Sequence, residues 1–386
     1  MIEKFLPFHI PEIGQEEIES VVETLRSGSL TTGSKVRQFE QEFAQKVGAR
    51  YAIAVNSCTA ALHLALEAIG LREGDEVIVP TMTFAATAEV VTYFNARPVL
   101  VDCCSDTLNI DVERIENAIT SKTKAIIPVH FGGQPCDLDS ILDIARANNL
   151  YVIEDAAHAL PARYRGKTVG SISDITCFSF YVTKSITTGE GGMATTNDPK
   201  WAERMRSMSL HGLSQDAWKR HSAQGSWYYE IISPGYKYNM TDIAASLGIA
   251  QLRKCDRFWE VRRGHAAMYE EGFHALSQIS VPRLRAEVQH AWHLYVIQLN
   301  LEQLRIGRNE MIELLRKDNI GTSVHFIPLH LHPYYRETFG YGQKDFPVAS
   351  AVFDQILSLP IYPKMTEGNV LDVISSITKI VRKYQR

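Results

Sequence analysis

The stretch Phe178-Ser-Phe-Tyr-Val-Thr-Lys184-Ser-Ile-Thr-Thr-Gly-Glu-Gly-Gly192 joins an apolar segment to a glycine-rich bend. The apolar part, Ile175 to Phe180, has the length and composition of a short buried strand, and the bend predicts that the chain turns directly after it. We therefore expect Lys184 just past the end of a strand. An amine held against apolar surroundings loses water, which disfavours its ammonium form and makes it a better nucleophile.

Short apolar segments alternate with helix-like segments on the N-terminal side of this stretch, and another short strand follows it. The helix-like segments are ~10–15 residues long, which predicts right-handed crossovers between parallel strands. The fold class is therefore α/β, a mainly parallel sheet sandwiched by helices. The predicted strands, besides Thr176 to Phe180, are Tyr51 to Val55, Glu76 to Val79, Pro98 to Val101, Ala125 to Val129, Tyr151 to Ile153 and Gly192 to Thr195.

The two ends of the chain follow other patterns. Residues 1–14 resemble an extended arm, and amphipathic helices are predicted from Gln15 to Ser27 and from Ser34 onward. Because 386 residues exceed the ~250–300 at which a single core stops growing, we expect a large domain, residues 1–255, and a smaller α+β domain, residues 256–386. The smaller domain is predicted to contain helices at 258–276, 308–317, 349–357 and 367–381, and strands at 293–299 and 322–326.

Composition excludes several classes of protein. The net charge of −4, without a basic cluster, gives no electrostatic footprint for nucleic acid or for a membrane surface. No apolar run of spanning length or secretory leader is present, so we expect a cytoplasmic protein. Six cysteines without a CxxC pair indicate reduced thiols. His325, His330 and His332 lie close together, but prolines interrupt the segment and no carboxylate is interleaved, so no metal site is predicted.

Asn56-Ser57-Cys58-Thr59 lies between a predicted strand and a predicted helix. The free N–H groups and the positive dipole of a helix N-terminus, together with the Thr59 hydroxyl, form an anion site suited to a phosphate. Ordinary capping by Ser57 or Thr59 is the alternative, and the two interpretations are compatible.

Glu154-Asp155-Ala-Ala-His158 follows another predicted strand. A carboxylate at that position needs a partner because an unpaired buried charge is costly, and the ring nitrogen of pyridoxal phosphate is one such partner. Capping of a following helix by Asp155 is the alternative. His158 is expected either near the cofactor's ring oxygen or as a satisfied core histidine.

Two further residues are candidates for the same cleft. Phe84 follows a strand and is expected either to stack on a planar ring or to pack in the core. Ser179 precedes Lys184 by five residues and is expected to bond a phosphate or a local backbone group. Lys184 itself fits a Schiff-base lysine, although an isolated lysine among Ser, Thr and Gly is also typical of a surface loop.

A competing motif, Gly189-Glu-Gly-Gly-Met-Ala194, fits the spacing of a dinucleotide-binding loop. That loop must follow a strand and open a helix, whereas this segment precedes a strand. The position of this segment before a strand therefore excludes a dinucleotide-binding loop.

Taken in order, these segments resemble the DegT/DnrJ-type family of pyridoxal-phosphate-dependent sugar nucleotide aminotransferases. The resemblance covers nearly the whole chain and implies the fold type I architecture and a homodimer with active sites shared across its interface. It rests on Ser27-Gly-Ser-Leu-Thr-Thr-Gly33, Gly74-Asp-Glu-Val-Ile-Val-Pro80, Glu154-Asp-Ala-Ala-His158, Phe178-Ser-Phe180 with Lys184, Thr188-Gly-Glu-Gly-Gly192 and Pro234-Gly-Tyr-Lys-Tyr-Asn-Met-Thr-Asp242.

The resemblance implies a role for each ring-contacting residue. Lys184 would bind the cofactor covalently and carry the catalysis, and Asp155 would pair with the pyridine nitrogen. Phe84 would stack on the ring, and His158 would lie near the ring oxygen.

The resemblance also implies a phosphate site, formed by Ser57, Cys58, Thr59 and Ser179, with Asn239 reaching in from the partner subunit. Cys58 departs from the family's usual Gly or Ala. We expect its side chain to crowd the phosphate turn slightly without moving it.

The subclass is indicated by Ile186-Thr-Thr-Gly-Glu-Gly191, which resembles family members that aminate C4 of a nucleotide-linked 4-keto sugar with glutamate as donor. The type that forms 4-amino-4-deoxy-L-arabinose on UDP is similar through residues 210–218, 234–239 and 290–293. Lys184 argues against a dehydratase of this family, because the dehydratases have His at the position of this lysine. Amination at C3, a non-nucleotide substrate and a non-catalytic regulatory role remain alternatives. Candidate substrate contacts are Thr31, Tyr181, His325 and His330.

Overall fold

The computed structural model describes residues 4–214 and 228–386. Part of the segment 210–218, residues 215–218, lies outside the described residues. The described helices are α1 Gln15–Ser27, α2 Ser34–Val47, α3 Cys58–Ala68, α4 Ala86–Thr92, α5 Val112–Ala118, α6 Leu138–Ala147, α7 Pro199–Met208, α8 Asp242–Arg253, α9 Cys255–Phe273, α10 Arg308–Lys317, α11 Pro333–Phe339, α12 Pro347–Phe353 and α13 Glu367–Tyr384.

Within residues 4–214 and 228–386, the strands form a seven-stranded sheet and two three-stranded sheets. They are β1 Tyr51–Val55, β2 Glu76–Pro80, β3 Arg97–Val101, β4 Thr123–Ile126, β5 Tyr151–Asp155, β6 Arg163–Tyr164, β7 Lys167–Thr168, β8 Ile175–Ser179, β9 Gly192–Thr196, β10 Ile279–Ser280, β11 Val288–Gln289, β12 Tyr295–Leu299 and β13 Ile356–Leu359.

The large sheet has the order β1-β9-β8-β5-β4-β2-β3. Strand β9 runs antiparallel to both of its neighbours, whereas β8, β5, β4, β2 and β3 pair in parallel. The predicted α/β class with a mainly parallel sheet is confirmed. The carboxyl ends of the parallel strands lie along one edge, where ligands of such sheets bind.

An aromatic cluster fixes the strand that leads to Lys184. The rings of Phe178 and Phe180 pack on the buried face of α2, with centroid separations of 5.0 Å from Phe43 to Phe178 and 5.2 Å from Phe39 to Phe180. Aromatic side chains bury large apolar areas, so this cluster holds β8 firmly against α2. Helix α2 ends at Gly48, whose φ of 76° lies in the left-handed region.

The C-terminal part of the chain has a hydrophobic cluster of its own. It surrounds β12, β13, α9 and α13, and the N-terminal Leu6 also packs into it. The backbone of Leu6 exchanges hydrogen bonds of 2.8 Å with Asn319 and Gly321. The proposed boundary at residues 255 and 256 falls at the start of α9 and stays a prediction.

Two predictions for the C-terminal part were wrong. Residues 322–326 do not form a strand; Ser323 alone pairs with Ser358, and His325 and Phe326 line a cavity instead. The helix expected at 349–357 ends at Phe353, and β13 follows it. A run as short as Ile356–Leu359, apolar except for Ser358, cannot be distinguished from a buried helix segment by periodicity alone. In the described part of the chain, no helix combines the length and apolar character needed to cross a bilayer.

Candidate active site

A cavity of about 470 Å³ lies at the carboxyl ends of the strands of the large sheet. Segments that follow β1, β2, β5 and β8 all contribute side chains to it, which is the arrangement expected of an α/β sheet. The predicted site residues that line this cavity are Ser57, Cys58, Thr59, Phe84, Asp155, His158, Ser179, Tyr181, Lys184 and His325.

Lys184 lies in the connection between β8 and β9, and its side chain is half-buried in the cavity. Backbone hydrogen bonds join the two ends of this connection. The N–H of Phe180 donates to the Gly191 carbonyl at 2.8 Å, and the N–H of Thr188 donates to the Phe180 carbonyl at 3.0 Å. Loss of water lowers the pKa of the Lys184 amine from 10.5 to about 8, although Cys58 and Asp155 act in the opposite direction. Lys184 therefore is not a residue of the open surface, and a large fraction of its amine is uncharged near pH 8.

Asp155 is buried at the end of β5. Its Oδ2 atom accepts a hydrogen bond of 2.8 Å from the Thr87 hydroxyl, and Oδ1 accepts one of 3.1 Å from the Ala157 N–H. Burial raises the pKa of this carboxyl, while these two donors and the Lys184 charge lower it. A turn follows Asp155 rather than a helix, so the helix-capping alternative is excluded.

His158 lies three residues further, buried beside His293 and Phe326. Its ring centroid is 4.4 Å from that of His293 and 5.8 Å from that of Phe326. Burial and the Lys184 charge hold the pKa of His158 well below 6.5, so the ring is neutral. Because Nδ1 accepts from the Gly132 N–H at 3.3 Å, the single proton resides on Nε2, where it is available as a donor.

The N-terminus of α3 forms the phosphate end of the cavity. Ser57 caps the helix, its Oγ accepting from the Ala60 N–H at 3.1 Å, and the first N–H groups of any helix lack intrahelical partners. Both interpretations of this loop therefore hold together: Ser57 is a cap, and the N–H groups of Cys58 and Thr59 belong to a helix end suited to an anion. The backbone of Ser57 and Cys58 packs closely on β9 at Gly192. A Cβ at Gly192 would lie 2.6 Å from the Cys58 nitrogen and closer still to the Ser57 carbonyl group, so only glycine permits this contact.

Phe84 is 63% exposed, its ring centroid 6.0 Å from that of Phe326. An apolar ring that lines a cavity while exposed to this extent is not core packing, so that alternative is excluded. The ring is available to stack on a planar ligand.

Several residues of the site were missed by sequence reasoning. Thr83, Glu190, His293 and Phe326 line the cavity, and Thr87 binds Asp155 from the first turn of α4. Side chains of this kind carry no local signal, because threonines and histidines are common at turns and helix starts.

Three predicted residues do not reach the cavity of their own chain. Thr31 contributes its carbonyl to the Asp242 N–H at 2.9 Å, and Asn239 donates to the Thr32 hydroxyl at 2.6 Å in a separate groove beside β1. His330 as a substrate contact is corrected: it is 1% exposed, and its ring nitrogens bond to the hydroxyls of Thr81 and Ser350. It is a satisfied core histidine.

The residues present fit pyridoxal phosphate. Asp155 is 5% exposed, and its hydrogen-bond donors in the described part of the chain, Thr87 and the Ala157 N–H, are both neutral. No cationic group donates a hydrogen bond to this buried carboxylate among the described residues, and a protonated ring nitrogen would be such a donor. The amine of Lys184 and the helix end at Cys58 and Thr59 lie around the same cavity, where the aldehyde and the phosphate need them.

Fold and site together define a pyridoxal-phosphate-dependent enzyme of the α/β type. Comparison with known proteins identifies the family, because residues 11–378 match the profile of the DegT/DnrJ/EryC1/StrS aminotransferase family. The chain belongs to this family. It is an aminotransferase, and its cofactor is pyridoxal phosphate.

Known relatives cover almost the whole chain. An uncharacterized protein of Methanocaldococcus jannaschii is 55% identical, the alignment covering 98% of both chains. The spore coat polysaccharide biosynthesis protein SpsC of Bacillus subtilis is 51% identical over 98% of this chain and 97% of that one. A protein of Streptococcus pneumoniae assigned as a sugar aminotransferase, in its pyridoxamine phosphate form, superposes with a TM-score of 0.91 at 36% identity over 98% of each chain.

Proposed function

We propose that this enzyme transfers the amino group of glutamate to the C4 keto carbon of a nucleotide-linked 4-keto sugar, giving a 4-amino-4-deoxy sugar nucleotide and 2-oxoglutarate. The observation that carries the reaction class is the position of Lys184, with a pKa of about 8, in one cavity with the buried Asp155. The C4 position rests on the segment from Ile186 to Gly191 that follows the lysine. A sugar substrate is supported by the name of the B. subtilis relative.

Lys184 is the residue that moves the proton. When bound, pyridoxal phosphate carries the amino group between substrates and withdraws electrons from the carbon that loses its proton. The Lys184 Nζ would take the proton from the Cα atom of glutamate and pass it to the cofactor carbon that bears the amino nitrogen; in the second half it would move one proton from that carbon to C4 of the sugar. A base whose pKa lies near the working pH performs both tasks, because it is present in both protonation states.

Asp155 would hold the proton on the ring nitrogen of the cofactor. Thr87 keeps the carboxylate oriented, since it donates to Oδ2 from the first turn of α4. The neutral ring of His158 would donate through Nε2 to the ring oxygen, and Phe84 would cover one face of the ring. Ser57, Cys58, Thr59 and Ser179 would hold the phosphate.

A homodimer with shared active sites is part of the proposal. Asn239 lies outside the cavity of its own chain, in the groove of about 520 Å³ beside β1 that also contains Thr32. An Asn239 that binds phosphate must therefore act in the cavity of a second subunit. Thr31, next to that groove, would contact the sugar nucleotide in the same way.

Tyr181 and His325 are the proposed substrate contacts within the chain. Tyr181 is 45% exposed where it lines the cavity, so its ring is open to a large substrate. We further propose that the enzyme acts in the cytoplasm, where glutamate and nucleotide sugars are available to it.

A glutamate-coupled assay tests the proposal. Purified enzyme is supplied with UDP- and dTDP-linked 4-keto sugars, with a 3-keto sugar nucleotide, and with free keto acids, and the product amine is located by NMR. We expect turnover only with a nucleotide-linked 4-keto sugar and a new amine on C4. An amine on C3, or equal rates with free keto acids, contradicts the proposal.

A further inference from the structure

A buried carboxylate, that of Asp242, lies where the loop before α2 meets the segment before α8. Asp242 is the first residue of α8 and is fully buried. Its Oδ1 atom accepts hydrogen bonds from the N–H groups of Gly33 and Val36 at 2.8 and 3.0 Å, and Oδ2 accepts one of 3.1 Å from the Ser29 hydroxyl. The carboxylate lies at the N-terminus of α2 and of its own helix, where helix dipoles stabilise a negative charge.

The same two segments are joined by three further hydrogen bonds. The N–H of Asp242 donates to the Thr31 carbonyl at 2.9 Å. The Thr32 hydroxyl donates to the Met240 carbonyl at 2.6 Å and accepts from Nδ2 of Asn239, also at 2.6 Å. Side chains and backbone of both segments therefore hold one another in a single arrangement.

Gly33 permits the close approach of the two segments. A Cβ at Gly33 would lie 2.5 Å from Oδ2 of Asp242 and 3.0 Å from the Ser29 hydroxyl, so a larger residue would displace the carboxylate. Residues 29–33 and 239–242 thus form one packed unit, which we call the double loop. The Asp242 carboxylate lies at its centre.

The double loop contains both residues that are proposed to act in the cavity of a second subunit, Thr31 and Asn239. Thr31 is exposed, and Asn239 lines the groove beside β1. The side-chain amide of Asn has two N–H groups, and among the described residues Asn239 uses one of them, on Thr32. The other N–H is left for a phosphate oxygen.

We infer that Asp242 is a positioning residue of the shared active site, because its carboxylate holds the double loop in the shape that presents Asn239 and Thr31 to the second subunit. Asp242 touches neither cofactor nor substrate in this role and acts through these two residues. The inference rests on the shared active site proposed above. Without the carboxylate, the N–H groups of Gly33 and Val36 lose their acceptor, and the position of Asn239 is no longer fixed.

Titration of cofactor-free enzyme with pyridoxal phosphate measures this role. Asp242→Ala should raise the Kd ~10-fold or more, the effect of losing one hydrogen bond to a charged group. Asp242→Asn should stay within about threefold, because the amide oxygen still accepts from both N–H groups and the NH₂ group can donate to the Ser29 hydroxyl.

Asp102→Ala is the matched control. Asp102 is 2% exposed and accepts hydrogen bonds of 2.9 and 2.8 Å from the N–H groups of Val348 and Ala349 at the start of α12, outside the double loop. This variant should destabilise the fold without raising the Kd. A rise equal to that of Asp242→Ala would show a general effect of destabilisation and overturn the inference.

Thr32→Val tests the double loop without emptying a buried site. It removes the hydrogen bonds to Met240 and Asn239, and we expect the Kd for pyridoxal phosphate to rise as it does in Asp242→Ala. This variant carries the test if Asp242→Ala does not fold. An unchanged Kd in Thr32→Val overturns the inference.

Subunit exchange shows in which cavity Asp242 acts. Asp242→Ala, or Thr32→Val in its place, is mixed with Lys184→Ala, and absorbance follows the conversion of pyridoxal phosphate to pyridoxamine phosphate by glutamate. The cofactor concentration is kept below the Kd of the double-loop variant. Each mixed dimer has one site with Lys184 and an intact double loop, so random exchange should restore about a quarter of the rate of the unchanged enzyme.

The outcome of the exchange separates this inference from the proposals on which it depends. If Asn239→Asp restores activity to Lys184→Ala and the double-loop variant does not, the positioning role alone is overturned. If neither pair regains activity, the shared site is overturned together with it. The glutamate reaction and the cofactor titration need no sugar, so a failure of the proposed sugar substrate is recognised separately.

Discussion

The hydroxyl of Thr87 donates a hydrogen bond of 2.8 Å to Oδ2 of Asp155, and the hydroxyl of Thr83 lies 2.8 Å from that of Thr87. All three side chains are buried. The bond favours the ionised form of a carboxyl whose pKa burial raises. Thr87 is therefore a positioning residue, because its hydrogen bond orients Asp155 and favours the ionised carboxylate.

Thr87→Val removes this bond with little change of shape. We expect kcat to fall ~10- to 100-fold, the range for one hydrogen bond to a charged group. Because the variant raises the pKa of Asp155 further, activity is lost at a higher pH as the solution is acidified. A pH profile of kcat measures this shift, and Thr87→Ser should restore both values. A Thr87→Val profile that coincides with that of the unchanged enzyme argues against the role.

Lys184→Ala removes the only group proposed to move the proton. We expect no measurable turnover and no visible absorption band from covalently bound cofactor, with the fold retained. Absorbance spectra and circular dichroism check this. Appreciable turnover by the variant would falsify the assignment of Lys184.

The low pKa of Lys184 predicts how cofactor capture depends on pH. Its pKa is lowered from 10.5 to about 8, so the reactive free amine is the majority species above pH 8 rather than only above 10.5. The rate constant for capture of pyridoxal phosphate by cofactor-free enzyme should rise with pH and level off shortly above 8. Nα-acetyl-lysine amide, whose only amine is the ε-amine, serves as the control in the same buffers. A midpoint near that of the amide would show that the protein does not perturb the amine.

Gly192→Ala tests the close contact between β9 and the phosphate turn. The added Cβ would collide with the backbone of Ser57 and Cys58, and we expect a loss of ~1–3 kcal/mol in the free energy of unfolding with weaker cofactor retention. Gly264→Ala is the matched control, because it lies within α9 with nothing within 4 Å of the new Cβ. That control should be more stable by ~0.5–1 kcal/mol. Denaturant titration of both variants distinguishes steric collision from a general effect of losing glycine.

Mixing two inactive variants tests the shared active site. Asn239→Asp places a negative charge where a phosphate contact is proposed, so we expect it to be nearly inactive alone, as Lys184→Ala is. Subunit exchange between the two should restore activity, because one site of each mixed dimer then has both intact residues. Size-exclusion chromatography verifies the exchange. A mixture that stays inactive despite exchange contradicts the sharing of sites.

The sequence predicted the parts of the fold that have strong local signals. Alternating strands and helices gave the parallel sheet, and the strand before Lys184 ends at Ser179, one residue from the expected end. Cys58 and Asp155, which lie at or shortly after the ends of strands, line one cavity because topology alone brings strand ends together. The end of α12 and the strand β13 were predicted wrongly because a short apolar run is compatible with either a strand or a buried helix segment.

The remaining site residues depend on tertiary contacts. Thr87 reaches Asp155 through the packing of α4, and His293 reaches the cavity from the segment before β12; the sequence has no local pattern for either contact. His330 is a residue for which the sequence indicated a substrate contact that the structure does not show. Its neighbours in sequence suggested a substrate contact, but packing against Thr81 and Ser350 uses both of its ring nitrogens.

The connection that contains Lys184 is anchored in two adjacent strands and cross-linked to itself by backbone hydrogen bonds. In the role proposed for Lys184, an amine that is released during each catalytic cycle would stay tethered within reach of the carbon it leaves. Its return is a unimolecular step with a high effective concentration, and little chain entropy is lost when the covalent link reforms. The antiparallel strand β9, which interrupts an otherwise parallel sheet, thus anchors the second end of the connection. This anchor would keep the Lys184 amine in place to detach from the cofactor and bond to it again at every turnover.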